Sequence, residues 1–335
     1  VTETADDAAG RTPARRSPWI LLVRLLVSGG MLALVFTHIP DLREILPDDD
    51  RLRTVLYLTA AVVVTFFGVV LSAWRWQRVF VVLGTRAPLP SLLSHTFAGL
   101  FVGNALPGTI GGDVLRVSRA TKTVDSGTTA FVSVALERLS GFVALPCLTF
   151  LGLALRPSIL DQPRAWIAPA IAGGTLVALV VIVFLAGHPR IAGRFADHEN
   201  WMRFIGAVHT GVDDLRRRPR AVAGVLGAAL LYQSSVVLSV FFIVKALEID
   251  IPVAVVIAFI PAVAMAQVVP ISVGGFGVRE GLLALFLHPW GVSTAQSVGI
   301  GLCWYGMMLL VSLAGAPAFA MGHRNHRASP SPGPS

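Results

Sequence analysis

A short stretch of this chain occurs twice, and each copy interrupts a long apolar run. Residues 104–116 read NALPGTIGGDVLR and residues 267–279 read QVVPISVGGFGVR. Pro107, Gly111, Gly112 and Arg116 match Pro270, Gly274, Gly275 and Arg279, so both copies spell P-x3-G-G-x3-R. Asn104 matches Gln267, Thr109 matches Ser272 and Ile110 matches Val273. Proline and glycine break helix, and broken helix is tolerated at membrane depth only inside protein or beside a cavity. A pair of Gly/Pro-interrupted segments in two halves of a chain points to a transporter's binding site.

Composition fixes the solvent. The chain has 335 residues, 54% of them hydrophobic and 14% charged, with a mean hydropathy of +0.72. A soluble domain of this length needs more charge to cover its surface. The net charge of +8 does not point to nucleic acid, because the basic residues gather in loops between apolar runs. Cys147 and Cys303 lie inside apolar runs and read as buried small hydrophobes, not as a disulfide or metal pair. No CxxC, HExxH, Walker loop or nucleophile elbow occurs, so no cofactor, metal or enzymatic chemistry is expected.

Full-length apolar runs cover about 19–38, 54–73, 128–155, 165–187, 221–247 and 294–320. Each approaches or exceeds the roughly 20 residues that cross the hydrocarbon core. The run from Trp19 is too long for a signal-peptide core and lacks an A-x-A site, so it reads as an uncleaved span. Trp19, Trp74, Trp76, Trp166 and Trp290 near run ends suggest an aromatic belt. The expected fold is an all-α polytopic membrane protein: six full spans plus two re-entrant or broken-helix segments in an inverted repeat. Residues 1–17 and 323–335 read as disordered cytoplasmic tails around a transmembrane domain at 18–322.

Charge orients the spans. With the N-terminus inside, the acidic loop 39–53 falls outside and the loop 74–90, with Arg75, Arg78 and Arg86, falls inside. If both motif segments (about 89–122 and 252–290) return to their own sides, the arginines of loop 188–220 and the basic C-terminus are cytoplasmic. Three spans separate the motifs, so one enters from the cytoplasm and the other from outside. Hairpins and pairs of short crossing helices give the same parity. The arginines of loop 188–220 read as topology determinants, with anionic lipid contact secondary.

Several residues carry chemistry. Arg116 and Arg279 follow glycine pairs (Gly111 with Gly112, Gly274 with Gly275) that let backbone approach a ligand and leave N–H groups unpaired. An arginine beside such a turn grips phosphate with two parallel hydrogen bonds. The structural alternative is tight helix packing with a snorkelling arginine. Glu137 and Arg138 fall near the middle of a span, where ionised groups need partners or a wet cavity. Adjacent helical residues do not face each other, so Glu137 should pair with Arg116 or Arg279, and Arg138 with Asp113 or Glu280. Such a network is either structural or a headgroup site in which Glu137 or Glu280 titrates. Asp113 is either functional or a helix cap. Asn104 and Gln267 read as partners for freed backbone groups. Tyr232, Gln233, Ser234 and Ser235 read as interhelical hydrogen bonding. Arg24 and Lys245 read as snorkelling, and His95 as interfacial rather than a proton relay.

Together the strings NALPGTIGGDVLR, ALERLSGFVAL, VVPISVGGFGVREGLLAL and GVSTAQSVG resemble the lysylphosphatidylglycerol synthase transmembrane family, across about residues 19–320. The resemblance implies a flippase-like domain that moves an anionic or modified lipid, or a lipid-linked sugar, between leaflets. The family positions fall on Pro107, Gly111, Gly112, Asp113, Arg116, Glu137, Arg138, Pro270, Gly274, Gly275, Arg279 and Glu280. The sequence ends soon after the last run, which leaves no room here for an aminoacyltransferase domain, so lysyl-lipid synthesis is not expected. The expected partners are a phospholipid or polyprenyl-phosphate-linked substrate and the membrane, with no nucleic acid. A homo-oligomer and a lipid- or glycan-modifying enzyme are open partners. The expected location is the plasma membrane, with both termini cytoplasmic. Two rival functions stand beside transport: a non-catalytic partner or regulator of a lipid- or glycan-modifying enzyme, and an enzyme acting on lipid phosphates.

Overall fold

A computed structural model describes residues 51–105, 110–187, 218–268, 275 and 277–324. Among them the chain is all helical: α1 (Arg51–Val82), α2 (Leu89–Ala105), α3 (Ile110–Val124), α4 (Gly127–Leu155), α5 (Ile167–Gly187), α6 (Pro219–Ala246), α7 (Val253–Ala266), α8 (Val278–Leu287), α9 (Thr294–Ser312) and α10 (Gly315–Arg324). Five of these, α1, α4, α5, α6 and α9, are long and apolar enough to cross a membrane. They coincide with five of the six expected runs, and the protein is a multi-pass membrane protein. The first expected run, at 19–38 with Arg24, lies outside the described residues. So do the tail 1–17 and most of loop 188–220.

Local chemistry sets the ends. Ser126 caps α4, its hydroxyl accepting the Thr129 N–H at 3.2 Å. Ser293 and Gln296 form a reciprocal capping box at the start of α9, with bonds of 3.0 and 3.1 Å. Pro219 opens α6 at a position where a missing N–H costs nothing. One boundary differs from expectation. The apolar run ends near residue 73, but α1 continues to Val82, so Arg75 and Arg78 are helical and not in a loop. The helix continues because no proline or glycine interrupts residues 69–83, while Gly84, at φ +74°, turns the chain. The last run also divides: α9 ends at Ser312 and α10 runs on to Arg324, past the expected start of the tail.

Small residues let the helices approach. Thr65 and Ser239 share a 2.7 Å hydrogen bond between α1 and α6, and Ser239 also donates to the Ala61 carbonyl at 3.2 Å. Gly152 of α4 abuts the backbone of α7 at Ala258 so closely that a side chain there would overlap it. The main core joins α4, α6, α7, α8 and α9 through residues such as Leu148, Ile243, Phe259, Leu283 and Ile300. Only 11% of the apolar window of α5 is buried, and Val177, Val180, Val181 and Phe184 point outward, so α5 is peripheral. Cys147 is exposed on α4 rather than buried, and both cysteines are free thiols.

Each duplicated motif breaks a helical pair, α2 with α3 and α7 with α8. The turns themselves, 106–109 and 269–274, which hold Pro107, Pro270 and Gly274, lie outside the described residues. The limbs of each pair pack on each other. Gly112 of α3 sits against Gly99 and Gly103 of α2. Phe259 of α7 stacks on Phe286 of α8 with centroids 4.6 Å apart.

Candidate functional site

The matched motifs fold differently. In the first copy Gly111 and Gly112 already lie in the opening turn of α3, so Arg116 is seven residues into the helix. In the second copy the helix starts only at Val278, and Arg279 is its second residue. The cause is Gly277, which stands where the first copy has Val114. Gly275 and Gly277 take φ of +78° and +82°, a region that valine avoids. The Gly277 N–H donates to Glu280 Oε2 at 2.7 Å, which makes Glu280 the acceptor at that helix start.

The first copy feeds a buried ion network. Glu137 on α4 is 1% exposed. One oxygen, Oε1, accepts from Arg75 on α1 and from the Ser72 hydroxyl. The other, Oε2, accepts from Arg116 Nη1 at 3.1 Å. Arg116 Nη1 also lies 3.4 Å from Asp113 Oδ1. Arg138 grips Asp113 with a fork, Nε to Oδ2 at 3.1 Å and Nη2 to Oδ1 at 2.9 Å. Of the partners open to Glu137, Arg116 is realised and Arg279 is not; of those open to Arg138, Asp113 is realised and Glu280 is not. Asp113 is therefore an ion-pair acceptor, in the first turn of α3.

Two residues sit elsewhere than their sequence context suggests. Arg75, expected in a cytoplasmic loop, is 4% exposed and bonded to Glu137. Its guanidinium lies over the Tyr232 ring at 4.8 Å. Trp76, expected in an interfacial belt, is fully buried, donates to Ser133 Oγ at 2.9 Å, and lies under Arg116 at 4.2 Å. The available signal was spacing: Ser72, Arg75, Trp76 and Val79 fall on one helical face. The polar patch on α6 belongs to the same neighbourhood. A side chain at Gly141 would meet Arg75 Nη1 at 3.2 Å and Gln233 Nε2 at 3.3 Å, so Gly141 leaves room between them.

Three guanidinium groups, Arg75, Arg116 and Arg138, face two carboxylates, Asp113 and Glu137. Among the described residues one positive charge is in excess, and the inner part of the network is almost wholly buried. Four nitrogens there have no hydrogen-bond partner among the described residues: Nε and Nη1 of Arg75, Nε and Nη2 of Arg116. Buried donors without partners are uncommon, and cationic ones are costly. The arrangement can accept an oxyanion.

The second copy makes a smaller set. Arg279 donates through Nε at 3.0 Å and Nη2 at 2.6 Å to Glu280 Oε1, and both side chains are buried. Neighbours on a helix meet here because they sit in its first turn, where the long arginine folds back. Arg279 also lies over the Tyr305 ring at 5.5 Å, and Gly301 leaves the space that both side chains fill. The described partners of the two sets lie on different helices. Gln267 donates to the Val263 carbonyl at 3.3 Å, and its Oε1 lies where a side chain at Gly275 would be. Asn104 Nδ2 is buried with no partner among the described residues. His95 Nε2 lies 3.1 Å from Thr123 Oγ1.

A comparison with curated proteins finds no significant match. The model for the lysylphosphatidylglycerol synthase TM region matches residues 21–315, which contain both motifs and both ion sets. That match covers most of the chain and agrees with the resemblance carried by the motif strings, so the protein is a membrane-embedded, lipid-handling member of the lysylphosphatidylglycerol synthase transmembrane family.

Proposed function

We propose that the chain is a transporter that moves an anionic lipid or lipid-linked glycan between leaflets, without enzymatic chemistry of its own. The observation that carries this reading is the buried cluster around Glu137, with its excess positive charge and unused donors, in a chain of a lipid-handling family. The headgroup phosphate binds the arginines, and the acyl or isoprenoid tail stays in the bilayer. Gly112 holds α3 against α2 with Arg116 on Glu137, Asn104 stands at the end of α2, and Arg279 with Glu280 forms the matching element of the second half. Alternating exposure comes from the two halves rocking about the site.

Helix length supports re-entrant segments. At 1.5 Å per residue, α2, α3, α7 and α8 span roughly 26, 22, 21 and 15 Å, all short of the ~30 Å hydrocarbon core. In this reading each broken pair enters and leaves on one side, the two entering from opposite faces as an inverted repeat. With a first span at 19–38 there are six full crossings, and both termini are cytoplasmic at the plasma membrane.

The test is lipid flux in proteoliposomes, combined with mass spectrometry of co-purifying lipids. The Arg116→Ala/Arg279→Ala double variant, eluting as a single species, should lose both flux and the enriched lipid. Wild-type flux in that variant sinks the reading. Equal bulk lipid profiles without flux in either protein assign the chain instead to a stoichiometric partner of a lipid- or glycan-modifying enzyme.

A further inference from the structure

We infer that the subsite between Arg75 and Arg116 selects its ligand by charge, taking a singly charged oxyanion, and that Asp113 sets that selection. The inference rests on the transport reading but adds a specificity rule and three residues: Arg75 as a ligand-binding group, Gln233 beside it, and Asp113 as a tuning group.

The geometry begins with Arg116. Nε and Nη2 form one edge of a guanidinium, the edge that Arg138 uses on Asp113 and Arg279 on Glu280. On Arg116 that edge is buried and has no hydrogen-bond partner among the described residues, while Glu137 takes Nη1. The Arg116 side chain is held on both sides, by the Trp76 ring below and by Gly99, where any side chain would strike its Cγ. It is a fixed fork for two oxygens of one anion. Arg75 is held in the same way over Tyr232, with Glu137 on Nη2 and its Nη1 turned toward Gly141 and Gln233 Nε2. Glu137 joins the two cations but neutralises only one of them.

Charge then decides what fits. The inner trio of Arg75, Arg116 and Glu137 carries one surplus positive charge, and the outer pair of Arg138 and Asp113 carries none. One negative charge closes the balance. A second would be buried without a counter-charge, which is strongly disfavoured at low dielectric. A phosphodiester has one charge. A phosphomonoester, with a second pKa near ~6, has nearly two at pH 8.

The full-length protein is reconstituted at pH 8 with acyl-chain-labelled phosphatidylglycerol, a diester, or acyl-chain-labelled phosphatidic acid, a monoester, in otherwise zwitterionic vesicles. The expected result is transport of the diester at least about tenfold faster, a factor worth ~1.4 kcal/mol. Asp113→Asn raises the surplus by one charge and should bring the two rates to within about threefold. Arg116→Lys and Arg75→Lys keep the charge but replace the planar two-donor fork with a single ammonium, and should slow the diester by about tenfold or more while keeping a monodisperse elution profile. Equal rates for both lipids in the wild type, or an unchanged ratio in Asp113→Asn, overturns charge selection and leaves lipid transport standing. No flux of either lipid overturns the transport reading itself. Millimolar dimethyl phosphate distinguishes the source of the anion. Competition means that the subsite recognises the bare phosphodiester, and no competition with the diester preference intact means that it recognises the lipid-borne group.

Discussion

Glu137 is the residue on which the buried network depends. Its two oxygens bridge helices α1 and α3 through Arg75 and Arg116, while its own helix supplies the third wall. Glu137→Gln keeps the size and removes the charge, leaving two buried guanidiniums with no carboxylate between them. Breaking a buried pair from one side costs about 3–5 kcal/mol. The variant should therefore melt well below wild type in detergent, read by intrinsic tryptophan fluorescence, with Trp76 inside the affected packing. Arg138→Gln is the contrast, because the Arg138 side chain is 53% exposed and its pair with Asp113 lies at the edge of the network rather than inside it. Its melting shift should be clearly smaller than that of Glu137→Gln. Equal melting shifts for the two variants would show that Glu137 is not the structural centre. Sequence could name Glu137 because a carboxylate inside an apolar run is conspicuous. It could not name Arg75, because an arginine at the end of an apolar run looks the same whether it snorkels or turns inward; only the packing of α6 against α1, with Tyr232 over the guanidinium, separates the two cases.

At the scale of elements, the duplicated motif was legible as a break and not as a shape. Proline and glycine announce that helix must stop, and both segments are indeed split. What sequence matching missed is that one extra glycine moves the helix start: Gly277 allows a positive φ, and α8 begins five residues later in the motif than α3. The matched arginines consequently have different jobs. Arg116 reaches across to another helix, whereas Arg279 closes on its own neighbour. The first glycine pair acts through close approach. A side chain at Gly112 would run into the Gly99 carbonyl and its neighbours, and both partners there are backbone. Gly112→Ala should thus push α2 from α3 and destabilise by about 1–3 kcal/mol despite the better helix propensity of alanine. Gly173→Ala, with open space around it in the apolar helix α5, should be neutral or slightly stabilising. Paired thermal melts of the two variants check this, and a neutral Gly112→Ala would mean that the limbs do not depend on that contact.

Across the whole molecule the two motifs are tied through the C-terminal helices. Glu280 and Arg279 fill the space that Gly301 leaves on α9. After a short turn α10 packs on α2 at Gly315 and Phe319. Arg119, one turn beyond Arg116 on α3, donates to the Ala318 and Phe319 carbonyls at 3.0 and 3.2 Å. A displacement at the second motif is passed to the first along this path only if the broken pairs sit in the bilayer as the topology requires. That topology can be read directly. In a Cys147→Ala/Cys303→Ala background, single cysteines at the exposed positions Pro90, Ser158 and Thr294 report the side of α2's start, the α4–α5 turn and α9's start. If the first broken pair returns to its own side, α4 alone separates Pro90 from Ser158 apart from that pair, so Pro90→Cys reacts from the cytoplasm and Ser158→Cys from outside. Helices α5 and α6 then return the chain to the outer side, and a second returning pair keeps it there, so Thr294→Cys also reacts from outside. An impermeant maleimide on intact cells should accordingly label Ser158→Cys and Thr294→Cys, and reach Pro90→Cys only after lysis. Labelling of Thr294→Cys only after lysis would mean that α7 and α8 together cross once. The second motif would then cross instead of returning to the outer side, and the inverted arrangement would fall while the buried network around Glu137 remained.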